Sequence, residues 1–198
     1  MPYRIKIIFI DNFDSFSYNL VDELQILGAE VTVYRNDAAP EFILKKVQEF
    51  KKEGFNIIGV LSPGPSSPND ANNLMAIIEK LKGQIPLLGI CLGHQALGLS
   101  LGGKVVKSPY IVHGKASLIT HCSDYCFKDL PNPLRAARYH SLVVTDLPEH
   151  VKIIASCDNI VMALYEEKMR LLGLQFHPES ILTTYGRKIL LNAINLLA

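Results

Sequence analysis

Charge of one sign is missing from this chain: 20 Lys and Arg stand against 19 Asp and Glu among 198 residues, a formal net charge of +1. No electrostatic case for a nucleic acid or an acidic membrane as partner follows from such a balance. Long hydrophobic runs are also missing. Segments such as Ile7-Ile8-Phe9-Ile10 are far too short to span a bilayer, and the first apolar segment ends at Asp11, so it reads as a strand and not as a secretory signal. Cysteine is sparse, with four residues, too few for a disulfide framework in a chain of this length. A reducing, cytoplasmic setting is the expectation. No linker, repeat or low-complexity stretch divides the sequence, so one domain over 1–198 is expected. The glycine spacing and lysine of a phosphate-binding loop are absent, and the looseness of His121, Cys122, Cys126 and His140 argues against zinc or any other metal.

Present instead is an alternation of two periodicities. Ile5 to Ile10 is a dense β-branched run suited to a strand buried on both faces. Phe16, Leu20, Val21, Leu24 and Leu27 follow at helical spacing and end at Gly28. A strand around Val31 and Val33, a helix opened by Pro40, a strand over Phe55 to Leu61, a helix around Leu74 to Leu81 and a strand over Ile85 to Ile90 continue the rhythm. The pattern predicts an α/β, flavodoxin-like fold, a mostly parallel central sheet with helices on both faces. In the second half, Lys115 to Cys122, Arg138 to Thr145, Val151 to Ser156, Ile160 to Tyr165 and Leu171 to Phe176 read as strands with short connections. They predict antiparallel additions before a last amphipathic helix through Ile189 and Leu197.

The most telling local segment is Leu87-Leu88-Gly89-Ile90-Cys91-Leu92-Gly93-His94-Gln95. An apolar run ends at a cysteine flanked by glycines two residues away on each side, and a helical pattern follows. This is the cysteine form of a nucleophile elbow. A thiol at a helix N-terminus sits in a positive field that favours thiolate. In open parallel sheets, sites gather at the carboxyl ends of strands, which would bring Asp11–Ser15, Ser62–Ser66, Cys91 and His177-Pro178-Glu179 together. His177 is the best-placed histidine to take and return a proton, and Glu179 can orient it. Backbone donors for an oxyanion are expected at Leu92, directly after the cysteine, and at Gly64, between two prolines.

Taken in order, Asp11-Asn12-Phe13-Asp14-Ser15-Phe16-Ser17-Tyr18-Asn19-Leu20, Leu61-Ser62-Pro63-Gly64-Pro65, Gly89-Ile90-Cys91-Leu92-Gly93-His94-Gln95, His113-Gly114-Lys115, Arg138-Tyr139-His140-Ser141-Leu142 and Gln175-Phe176-His177-Pro178-Glu179-Ser180 cover almost the whole chain. This series resembles the triad-type, or class I, glutamine amidotransferases, and within them the branch serving chorismate-aminating synthases. The resemblance implies Cys91 as nucleophile, His177 and Glu179 as its partners, and Gly64 and Leu92 as oxyanion donors. It implies a pocket for L-glutamine built from Gly64, Pro65, Ser66, Gln95, Ser141 and Leu142. It implies no cofactor, and a larger chorismate-binding synthase subunit that receives ammonia, making either anthranilate for tryptophan or aminodeoxychorismate for folate. The family usually carries glycine where this chain has Ser66. Two other readings stand beside it. A stand-alone cysteine hydrolase leaves the Asp11 to Leu20 and His113 to Lys115 segments without a role. A flavodoxin-like binding module rests on Asp11 and Asp14, but such acids are more often capping or solvated loop residues, and Asp14 or Ser15 could cap the following helix.

Overall fold

The computed structural model describes residues 4–109 and 114–198; His113 of the fourth motif lies outside them. Eleven strands and five α-helices make up the described chain, alternating as far as Ser100, after which seven strands precede the last helix. The first half follows the expected rhythm closely: β1 (Ile5–Asp11), α1 (Ser17–Ile26), β2 (Glu30–Arg35), α2 (Pro40–Lys52), β3 (Asn56–Leu61), α3 (Leu74–Leu81), β4 (Leu87–Ile90) and α4 (Leu92–Ser100). Pro40 is the first residue of α2, where its missing amide hydrogen costs nothing. Gly28 follows α1 at φ +89°, in the left-handed region that lets the chain leave the helix.

Strands β2, β1, β3 and β4 are parallel neighbours, and β11 (Leu171–Leu174) extends them in parallel on the far side of β4. Beyond it the sheet turns antiparallel through β10 (Ile160–Glu166), β9 (Lys152–Cys157), β6 (Lys115–His121) and β7 (Leu134–Arg138). The nine strands therefore run β2-β1-β3-β4-β11-β10-β9-β6-β7. Successive side chains of a strand face opposite sides, and β1 shows the result. Ile7 and Phe9 join a core with Leu20 and Leu24 of α1 and Ile189 and Ile194 of α5 (Gly186–Leu197). Ile8 and Ile10 join the opposite core with Ile43 and Val47 of α2, Ile77 of α3 and Leu97 of α4. All four β1 residues are fully buried, each worth roughly 1.5–3 kcal/mol. That double burial explains why the strand reads as a continuous apolar run and not as an alternation.

The second half departs from expectation at one place that matters. The run from Arg138 to Thr145 is not one strand. Strand β7 ends at Arg138, the chain bends through Tyr139 to Ser141, and β8 (Leu142–Thr145) pairs with β5 (Lys104–Lys107) in a separate two-stranded ladder. Ser108 donates its amide to the Ser141 carbonyl at 2.8 Å, closing that bend. The bend buries the polar side chains of Arg138 and His140, which bond to one another at 3.1 Å. No helix among the described residues is long and apolar enough to cross a membrane.

Candidate active site

Strand β4 ends at Ile90, α4 begins at Leu92, and Cys91 is the hinge between them. Its backbone sits at φ 51°, ψ −99°, a sparsely populated region costing about 1–3 kcal/mol for a non-glycine residue. Hydrogen bonds on both sides hold it there: Cys91 donates its amide to Leu174 O at 2.8 Å, and Gln95 donates its amide to Cys91 O at 3.0 Å. The flanking glycines are required by space. A Cβ on Gly89 would run into the Gly93 backbone, and one on Gly93 would run into the Leu61 carbonyl.

His177 and Glu179 follow β11. The His177 Nδ1 and Glu179 Oε1 atoms are 2.6 Å apart, and the two side chains are 7% and 2% exposed. The loop carrying them is tied from two directions: His177 donates its amide to Ala137 O of β7 at 3.1 Å, and Thr183 Oγ1 donates to His177 O at 2.6 Å. Burial opposes a charge on His177. Hydrogen bonding and charge at Cys91 and Glu179 outweigh that, so the imidazole is held well above its ordinary range. Its Nε2 has no partner of good hydrogen-bond geometry among the described residues, so we attribute the influence of Cys91 chiefly to proximity. The edge of His177 meets the Tyr139 ring, with centroids 5.0 Å apart.

The wall opposite comes from the loop after β3. Asn12 anchors it: its amide donates to Ser62 Oγ at 2.8 Å, its Nδ2 donates to Ser62 O at 2.7 Å, and its Oδ1 accepts from Asn36 Nδ2 at 2.9 Å. Gly64 is pressed against Asn12 and the side chain of Leu92. Ser66 lies at φ +69°, which accounts for glycine being the usual family residue there. A cavity of about 160 Å³ opens between these parts, lined by Gly64, Pro65, Ser66, Cys91, Gln95 and, from the bend after β7, Tyr139 to Leu142. Every residue expected at the glutamine pocket is on this lining. Leu92 lies directly after Cys91 and against Gly64, and Glu179 stands behind His177.

Three features were not anticipated. Gln175 donates toward Cys91 Sγ at 3.8 Å and accepts from Gln95 Nε2 at 3.3 Å, linking Cys91 to the cavity lining. His140 enters the cavity as a fixed neutral tautomer. Arg138 Nε donates to its Nε2 at 3.1 Å, so Nδ1 carries the hydrogen offered to Leu142 O at 3.1 Å. Burial first, and then the Arg138 charge, push its pKa down to about 4. In the sequence Gln175 opens the last motif, at the end of an apolar run, with no role assigned to it. Asp14, finally, is not a helix cap: its carboxylate accepts the amide of Phe16, one residue before α1, at 2.8 Å. Among the described residues no group of three or more His, Cys, Asp or Glu is placed to hold a metal ion.

Comparison with known proteins agrees with this geometry. The chain is similar to anthranilate synthase component 2 of Vibrio parahaemolyticus, at 47% identity over 96% of this chain and 94% of the relative. It is 48% identical to the protein of that name from Helicobacter pylori, over 98% of each chain. It is 45% identical to the pyocyanine-specific anthranilate synthase component 2 of Pseudomonas aeruginosa, over 96% of this chain and 93% of the relative. Among solved structures it resembles a GMP synthase subunit from Thermoplasma acidophilum, with a TM-score of 0.84 at 25% identity over 100% of this chain and 96% of the other. A glutamine amidotransferase of Thermotoga maritima shares the fold alone, with a TM-score of 0.73 at 16% identity over 98% of each chain. Residues 8–196 match the family described as glutamine amidotransferase class-I, and with relatives this similar over nearly its whole length the chain belongs to that family of enzymes.

Proposed function

We propose that this chain is the glutaminase subunit of anthranilate synthase, hydrolysing L-glutamine and passing ammonia to a larger chorismate-binding subunit for tryptophan biosynthesis, with residues 1–198 acting as one amidotransferase domain. Cys91 Sγ attacks the glutamine side-chain carbonyl carbon. The oxyanion that forms is received by the amides of Leu92 and Gly64, donors already fixed before the reaction. His177, protonated and oriented by Glu179, gives its proton to the departing nitrogen, and ammonia leaves. A glutamyl thioester remains on Cys91. His177, now neutral, draws a proton from water as it attacks, and glutamate and the free thiol are regenerated. Gln95, Ser141 and Leu142 hold the α-amino and α-carboxylate ends of the substrate, and Gly64, Pro65 and Ser66 line the pocket. Gln95 is positioned for this by donating to Leu142 O at 3.0 Å.

The observation that carries this reading is the cavity itself: a strained cysteine at a helix start opens on one side to a pocket built from three segments distant in sequence. The pathway assignment is supported by relatives of 47–48% identity named anthranilate synthase component 2. The test is Cys91→Ser in complex with the larger subunit that co-purifies with the chain, with chorismate as substrate and anthranilate fluorescence as readout. Glutamine-dependent synthesis is expected to vanish while synthesis from added ammonium salt continues. Retained use of glutamine would remove Cys91 from its assigned role, and aminodeoxychorismate as the product would move the chain to the folate branch.

A further inference from the structure

A second cavity, of about 260 Å³, lies beside the His177–Glu179 pair and shares only Tyr139 with the cavity that holds Cys91. Phe16 and Asn19 of the β1–α1 connection and α1 form one wall, and Ser180 and Ile181 form another. Glu179 lines it with an unusual deficit. One of its oxygens engages His177, but the other, Oε2, is buried without a hydrogen-bond partner among the described residues. A buried carboxylate oxygen left unpaired is strongly unfavourable.

We infer that this cavity is a socket for a lysine or arginine side chain of the larger synthase subunit, whose cationic head donates to Glu179 Oε2 while its aliphatic stem lies along Phe16 and Ile181. The inference rests on the function proposed above. Three observations select this occupant. The rim is apolar and open, with Phe16 54% and Ile181 97% exposed, and long basic side chains lay their methylene stems on such surface. Glu179 is the one acidic side chain on the lining, and its unpaired oxygen is the acceptor that a cationic head would fill. No lysine or arginine lines the cavity, and Arg187, on the helix that follows, is engaged with Glu23 at 2.7 and 2.9 Å. An incoming cation would complete the hydrogen bonding of the residue that orients His177, so docking and glutamine hydrolysis become linked.

Charge reversal at the rim tests the sign of the occupant. In the two-subunit complex, Ile181→Lys is expected to lower affinity for the larger subunit tenfold or more, and Ile181→Asp to leave it within threefold of wild type. Asn19→Arg, which offers a guanidinium from within the chain, is expected to weaken the complex similarly and to raise glutaminase turnover of the isolated chain several-fold. Ile181 and Asn19 are both exposed, and unchanged melting temperatures verify folding. Equal losses for Ile181→Lys and Ile181→Asp would mean recognition by apolar contact alone and overturn the inference. Normal affinity for Ile181→Lys and Asn19→Arg would overturn it as well. Wild-type synthesis of product from chorismate and glutamine is measured alongside: its absence defeats the proposed function, whereas its presence with indifferent variants defeats only the socket.

Discussion

Gly64→Ala separates the demand for space at the proposed oxyanion wall from every other role of that loop. Gly64 is not among the glycines at positive φ, so alanine meets no backbone penalty there. The penalty is contact. A Cβ built on Gly64 would lie 2.6 Å from Asn12 Cβ, 2.7 Å from Leu92 Cδ2 and 2.9 Å from Asn12 O. Ordinary contact begins near 3.4 Å, so about 0.8 Å must be found somewhere. Asn12 is held by three hydrogen bonds of 2.7–2.9 Å, and Leu92 is buried at the start of α4. The loop bearing the Gly64 amide is therefore the part that moves. Misplacement near 1 Å costs about 10²-fold, and loss of one oxyanion donor about 10²–10³-fold in turnover, roughly 2.7–4 kcal/mol. Overpacking adds a stability loss of about 1–3 kcal/mol, or a few degrees in melting temperature for each kcal/mol in a chain of this size. The assay is glutamine-dependent turnover of the complex beside its ammonium-dependent turnover. The first is expected to fall about 100-fold and the second to be retained. A variant with glutamine turnover within threefold of wild type and an unchanged melting temperature would refute both the rigidity of the wall and the role of that amide.

Ser66→Gly relieves a left-handed backbone at φ +69° and is expected to stabilise the chain by about 0.5–1 kcal/mol net of the flexibility glycine adds when unfolded, visible as a rise in melting temperature. His94 is fully buried and held down to about 3 by desolvation. The unfolded chain takes up its proton near pH 6.5 and the folded chain only near 3, so its contribution is intact above pH 6.5 and lost as pH falls from there toward 3. Urea unfolding of His94→Leu is expected to show a pH slope shallower than wild type by about 1.4 kcal/mol per pH unit between pH 6 and 4; equal slopes would contradict the assignment. Arg138 is buried with neutral partners, His140 Nε2, Ser117 Oγ and Cys157 Sγ, and its Nη2 has none among the described residues. Arg138→Met is expected to keep stability within about 1 kcal/mol of wild type while raising the KM for glutamine about tenfold, because His140 loses the donor that fixes its tautomer. An unchanged KM would detach Arg138 from the pocket.

What the sequence made legible was local or strongly periodic. The elbow could be read because strand, glycines, cysteine and helix are contiguous, and His177 and Glu179 could be paired because only Pro178 separates them. The parallel half of the sheet could be read because burial on both faces leaves unbroken apolar runs such as Ile7 to Ile10. The bend at Tyr139 to Ser141 escaped for the converse reason: apolar residues resume at Leu142 to Val144, so a pattern read along the chain passes straight over the break. Strand β7 ends at Arg138, whose buried side chain bonds His140 within the bend and Ser117 and Cys157 some 20 residues away on either side. Gln175 escaped more completely, since its neighbours Cys91 and Gln95 are 84 and 80 residues distant. The orphaned oxygen of Glu179 lies beyond any pattern, because an unmet hydrogen bond exists only once every other group has taken its place. The chemistry of this site was thus readable where one short segment performs it, and hidden where folding alone brings the parts together. The docking surface inferred above is of the second kind: what points to it is a single buried oxygen whose hydrogen bond the folded chain leaves unmet.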